Sequence, residues 1–139
     1  MEDRKPGSVL FLCTMNAVRS PMAAGLLGQL KGSEIRVESA GLHAGPVDPL
    51  AAQVMAEIGI PLLGHRPRSF EALGDVPFDL TVALSAEAKN QLRGRGKDGR
   101  IEYWRTLDPT QVEGSDEQRR AAYRALRDAL GRKIGDYFV

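Results

Sequence analysis

Apolar and polar positions alternate along the chain in blocks that change period, and the changes mark the elements. Val9-Leu10-Phe11-Leu12 is a short unbroken apolar run, the pattern of a strand buried on both faces of a parallel sheet. From Pro21, residues Met22, Ala23, Leu26, Leu27 and Leu30 recur at helical spacing until Lys31-Gly32, with Pro suited to a first turn. Ile35-Arg36-Val37-Glu38 has period two and predicts a second strand, ended by a Ser39-Ala40-Gly41 loop. Asp48-Pro49 reads as an N-cap and first turn, after which Leu50, Val54, Met55 and Ile58 form one apolar stripe stopped by Gly59. Phe78 to Leu84 holds a third strand, and Ser85 caps a short helix running to Leu92. Ile101-Glu102-Tyr103-Trp104 is a short fourth strand. Ser115-Asp116-Glu117 opens a long helix with Ala122, Leu126, Ala129, Leu130 and Ile134 on its apolar face. Strands alternating with helices predict an α/β fold: a single open, doubly wound sheet of four parallel strands with helices on both faces. No boundary, linker, repeat or low-complexity segment divides residues 1–139, so one domain is expected.

Composition narrows the partners. The 139 residues are 42% hydrophobic and carry 19 basic against 18 acidic side chains, a formal charge of +1, too balanced for a dedicated nucleic-acid or membrane-surface binder. No apolar window reaches the roughly 20 residues of a membrane helix, and the first residues lack the apolar stretch of a signal peptide. A cytoplasmic protein is expected, and no feature selects an oligomeric state. Arg93 to Arg100 is too rich in Gly and charge to pack and reads as a solvated surface loop. The single cysteine, Cys13, excludes an intrachain disulfide.

That cysteine stands where chemistry is expected. In an open parallel sheet, ligands sit beyond the carboxyl ends of strands, and Cys13-Thr14-Met15-Asn16-Ala17-Val18-Arg19-Ser20 joins the first strand to its helix. A loop entering a helix N-terminus aims several N–H groups and the positive end of the helix dipole at one point, forming an anion site. A cysteine facing those amides and Arg19 is held as a thiolate nucleophile. Arg19 offers a planar fork for two oxygens of a tetrahedral oxyanion, Ser20 a hydroxyl for the sulfur, and Asn16 tolerance of a left-handed turn. A nucleophile attacking phosphorus also needs a proton donor for the leaving oxygen. Asp108, in Leu107-Asp108-Pro109-Thr110 after the last strand, emerges on the same sheet edge, although an isolated Asp-Pro is more often a turn or cap.

Together these residues resemble the low-molecular-weight protein-tyrosine-phosphatase family, whose fold is shared by one class of arsenate reductases. The resemblance spans nearly the whole chain. It rests on CTMNAVRSP, Ser39-Ala40-Gly41, Gly59-Ile60 followed by His65-Arg66-Pro67-Arg68, Phe78-Asp79 and Asp108-Pro109. It implies Cys13 as nucleophile, Thr14 to Arg19 as phosphate cradle, and Asp108 as general acid and then base for water. It further implies that Asn16, Ser20, Ser39 and His65 hydrogen-bond the loop into shape. Neither metal nor cofactor is implied, and the expected partner is a phosphorylated small molecule or phosphoprotein. Thr110-Gln111 and Leu42-His43-Ala44-Gly45 stand where phosphotyrosine-directed members carry aromatic walls, so broad specificity is expected. Ser85 stands where many members have an acid, and Val18 where some have a second cysteine. Two other readings follow from the same loop: arsenate reduction with an external small thiol, and a phosphate-binding module without turnover.

Overall fold

The computed structural model describes residues 6–15, 17–62, 66–74, 76–92 and 100–138. Its strands β1 (Ser8–Cys13), β2 (Arg36–Gly41), β3 (Leu80–Ala83) and β4 (Arg100–Tyr103) form a parallel sheet in the order β2-β1-β3-β4. The helices are α1 (Arg19–Lys31), α2 (Pro49–Ala56), α3 (Ala86–Gln91) and α4 (Asp116–Tyr137).

The sheet divides the core by the pleat, because successive side chains of a strand point to opposite faces. Val9, Phe11 and Cys13 of β1 join Leu80 and Val82 on one face, under α1, α2 and α4. Leu10 and Leu12 join Ala40 and Ala83 on the other, under α3. This is why β1 reads as an unbroken apolar run: both of its faces are covered. Among the described residues, no helix is long and apolar enough to cross a membrane.

Several boundaries differ from the sequence reading. Strand β2 does not stop at Glu38 but runs through Ser39 and Ala40 to Gly41, paired in register with Phe11, Leu12 and Cys13. A ladder partner on β1 outweighs the loop character of Ser-Ala-Gly, and Gly41 is bridged on its outer side by Ser69. Helix α1 begins at Arg19, two residues before Pro21; the missing N–H of Pro21 costs nothing in a first turn whose donors lack helical partners. Helix α2 ends at Ala56, short of Ile58, and Gly59 takes a φ of +77° as the Ile60 N–H returns to the Met55 carbonyl at 3.0 Å. The buried stripe of α4 is Tyr123, Leu126, Arg127, Leu130 and Ile134; Ala129, expected on that face, is exposed. The α4 start is as expected, with Ser115 and Gln118 forming a capping box.

Candidate active site

Strand order places a switch point between β1 and β3: the chain leaves β1 for β2 on one side and reaches β3 on the other. The loops after these two strands diverge there and leave a crevice, the general ligand position of open α/β sheets. Cys13 is the last residue of β1 and Arg19 and Ser20 the first two of α1, so the predicted loop spans this crevice.

Cys13 is buried, 2% exposed, and its Sγ lies 3.0 Å from Ser20 Oγ. The Ser20 hydroxyl is also 3.3 Å from the Ala40 carbonyl on β2. It therefore has a carbonyl to donate to when Cys13 carries its proton, and it can donate to sulfur when Cys13 is a thiolate. Arg19 anchors Nη1 on the Leu84 carbonyl (3.3 Å) and the Thr106 hydroxyl (3.5 Å); that hydroxyl itself donates to Leu84 at 2.7 Å. The guanidinium is thus tied to the end of β3 and to the segment leading to Asp108. Thr14 Oγ1 donates to Ser85 Oγ at 3.1 Å and reaches Glu87 at 3.5 Å. Ser85 also caps α3, accepting from the Ala88 N–H at 3.1 Å.

The backbone of the loop is held from outside by residues 42–48, a strap whose first four residues sequence reasoning placed only where other members carry an aromatic wall and whose last, Asp48, it read only as a helix cap. The N–H groups of Leu42, His43, Gly45 and Asp48 donate to the carbonyls of Cys13 (3.0 Å), Thr14 (2.9 Å), Met15 (2.9 Å) and Ala17 (3.0 Å). A carbonyl and the following N–H share one planar trans peptide and point in opposite directions. Tying the carbonyls of Cys13, Thr14 and Ala17 to the strap therefore turns the N–H groups of Thr14, Met15 and Val18 away from it.

Helix α1 continues the same electrostatic design. Its N-cap, Val18, makes no side-chain cap hydrogen bond, and its first turn holds no acidic residue. A capping carboxylate would compete with an incoming anion for those N–H groups. Val18 is buried, Ala17 packs against the core, and Met15 is 45% exposed at the rim.

The remaining predicted positions separate. Asp108 is half-buried at the N-cap of a 3₁₀ turn over Pro109–Gln111. Its Oδ1 accepts from the Thr110 N–H (3.0 Å) and hydroxyl (2.6 Å), so the turn-cap role of an Asp-Pro is present in full. Ser39 is buried in β2 opposite Phe11, and its carbonyl accepts from Arg68 Nε at 3.1 Å. Asn16, His65 and residues 93–99 lie outside the described residues. Trp104 is a core aromatic, packed on Phe11, Tyr137 and Phe138 and donating to Glu102 at 3.0 Å. Sequence reasoning missed Glu87 and Thr106 at the site. Glu87 lies in the first turn of α3 and Thr106 in the segment after β4, and their convergence on the site is visible only once the strand order is known.

The chain is 34% identical over 126 residues to an arsenate reductase of Halalkalibacterium halodurans, with 91% of each chain covered. Among solved structures, an arginine phosphatase of Geobacillus stearothermophilus matches with a TM-score of 0.78 at 28% identity, covering 94% of this chain and 89% of that one. The tyrosine phosphatase amsI of Erwinia amylovora shares the fold with a TM-score of 0.80 at 23% identity, covering 97% and 93%. A model of the low molecular weight phosphotyrosine protein phosphatases matches residues 8–137, and the chain belongs to that family.

Proposed function

We propose that the protein hydrolyses phosphate monoesters through a phosphocysteine at Cys13. The observation that carries this reading is the placement of Cys13 Sγ: 3.0 Å from Ser20 Oγ, at the end of a central strand, in a loop whose carbonyls are bound away from it. In the first step the thiolate attacks phosphorus, the S–P bond forms and the P–O bond to the leaving group breaks. Asp108 gives its proton to the departing oxygen. In the second step the Asp108 carboxylate takes a proton from water, whose oxygen attacks phosphorus, and the S–P bond breaks to return the thiolate and release phosphate. Arg19 and the loop amides stabilise charge on the equatorial oxygens in both steps.

Small aryl phosphates are the expected substrates, with modest selectivity, because Thr110 and Gln111 supply no aromatic wall beside Asp108. The reaction belongs in the cytoplasm, where a lone thiol stays reduced. Residues 1–139 act as one catalytic domain.

The relatives named arsenate reductase favour a second reading, since arsenate has the shape and charge of phosphate. With one cysteine in the chain, such a reductase hands its arseno-cysteine adduct to an external small thiol, which carries the reducing electrons. Aryl phosphate hydrolysis and thiol-dependent arsenate reduction, assayed side by side on one preparation, separate the readings. Hydrolysis lost in Cys13→Ser supports the phosphatase; arsenate reduction without hydrolysis overturns it; silence in both, with phosphate still bound, leaves a binding module.

A further inference from the structure

We infer that Tyr123 is a positioning residue for the phosphate loop: through Asp48, its hydroxyl holds the Ala17 carbonyl outward and keeps the Val18 N–H aimed at the bound oxyanion. The inference rests on the reading of residues 13–20 as an oxyanion cradle and adds a support for it from the far end of the chain.

Tyr123 lies on α4, is fully buried, and packs in the apolar cluster between the sheet and α1, α2 and α4. A phenylalanine would fill that space, so the hydroxyl needs a separate account; buried without a partner it would be destabilising. Its partner is Asp48 Oδ2, at 2.8 Å. The other oxygen of Asp48 accepts from the Leu50 N–H at 2.8 Å and caps α2, and the Asp48 N–H donates to the Ala17 carbonyl at 3.0 Å. Three groups of one residue thus face three elements: the oxygens hold α4 and α2, and the backbone holds the loop. Asp48 is also the last anchor of the strap, and the one nearest α1.

The phenol is suited to a permanent donor. Burial, its bond to Asp48 and the nearby charges of Asp48 and Asp108 all hold it protonated well above the usual tyrosine range, against a smaller opposing effect of Arg119. Tyr123 therefore couples the loop to α4 by direction, not by charge.

Tyr123→Phe tests this with the full chain. The affinity for inorganic phosphate, read as competitive inhibition or by calorimetry, is expected to weaken about threefold to tenfold, the size of one hydrogen bond's contribution to preorganisation. Amide hydrogen exchange without any ligand is expected to quicken in peptides covering 14–19 and to stay unchanged in β3. A purely structural role predicts a lower Tm with phosphate affinity and loop exchange both unchanged, and that result overturns the inference. Failure of the phosphatase reading shows in the wild type as absent aryl phosphate hydrolysis. The exchange comparison needs neither turnover nor ligand, so loop exchange that does not respond to the substitution overturns the inference in that case too.

Discussion

Removing the Ser20 hydroxyl isolates the contribution of one hydrogen bond to the nucleophile. Ser20 is fully buried, and its Oγ lies 3.0 Å from Cys13 Sγ, so Ser20→Ala deletes a donor that no bulk water replaces. Hydrogen bonds to charged groups contribute roughly 1.5–3 kcal/mol, whereas a neutral thiol is a weak partner in either direction. The loss falls mainly on the thiolate and depletes it about 10- to 150-fold relative to the thiol. A more basic thiolate is also a better nucleophile, with a Brønsted slope of roughly 0.4–0.5, which recovers about half of the logarithmic loss. The net expectation is a 3- to 12-fold slower alkylation by iodoacetamide.

The assay is the second-order alkylation rate of Cys13, followed by intact mass, at a pH where the wild-type rate still rises about tenfold per pH unit and the thiol form therefore predominates, for wild type and Ser20→Ala with and without inorganic phosphate. Because Cys13 is the only cysteine, every alkylated molecule reports this site. Phosphate is expected to protect both proteins, since the cradle is built from backbone. Equal rates without phosphate would refute the assignment of the Ser20 hydroxyl as a donor to sulfur and leave its contact with the Ala40 carbonyl as its role.

Arg19→Lys is expected to weaken phosphate binding and turnover together, because an ammonium cannot reproduce a planar two-nitrogen fork; inhibition by phosphate and kcat on one aryl phosphate measure both. Asp108→Asn is expected to slow turnover of substrates with poor leaving groups by roughly 10²- to 10⁴-fold and activated nitrophenyl esters much less. Equal loss for both classes would show that Asp108 acts only as the cap of its turn. Glu57 gives a pH prediction. Its hydrogen bond to Arg124, aided by Arg127, lowers its carboxyl from the ordinary 4.5 to about 2. A carboxylate depressed in the folded state stabilises above its unfolded value and ceases to do so as pH falls through the folded one. The Tm gap between wild type and Glu57→Gln is therefore expected in full above about pH 4.5 and to close toward pH 2; a gap independent of pH would contradict the ion pair.

The elements were legible because each has a local cause. Four apolar or alternating runs, the caps Asp48, Ser85 and Ser115, and Gly59 as a stop all behave as the sequence suggests. The boundaries that moved are those decided by a partner elsewhere. Ser39 to Gly41 look like loop until Phe11 to Cys13 supply a ladder. At the site, Cys13, Arg19 and Ser20 were visible through their spacing and their position after a buried strand. The strap was not, because it acts through backbone N–H groups, which every residue except proline carries. Tyr123 was missed for a different reason: its hydroxyl weakens the apolar pattern of α4, and Ala129 draws the stripe toward a face that is solvent-exposed.

The division between backbone and side chain bears on which chemistry the site performs. Strap, uncapped helix start and Arg19 suit a tetrahedral oxyanion, and none of them distinguishes phosphorus from arsenic at its centre. Binding therefore leaves the outcome open, and the fate of the sulfur adduct decides it. A phosphocysteine is productive if water is activated beside it, which requires a carboxylate on the carboxyl edge of the sheet. An arseno-cysteine is productive if a thiol reaches it, which requires an open path to Sγ. Asp108 keeps one oxygen on Thr110, and its segment is joined to Arg19 through Thr106. The proposed acid is thereby held in relation to the cradle instead of being left to a free loop end. Either chemistry uses that restraint once, to protonate the oxygen that leaves the tetrahedral centre, and a hydrolase uses it a second time, to take a proton back from water.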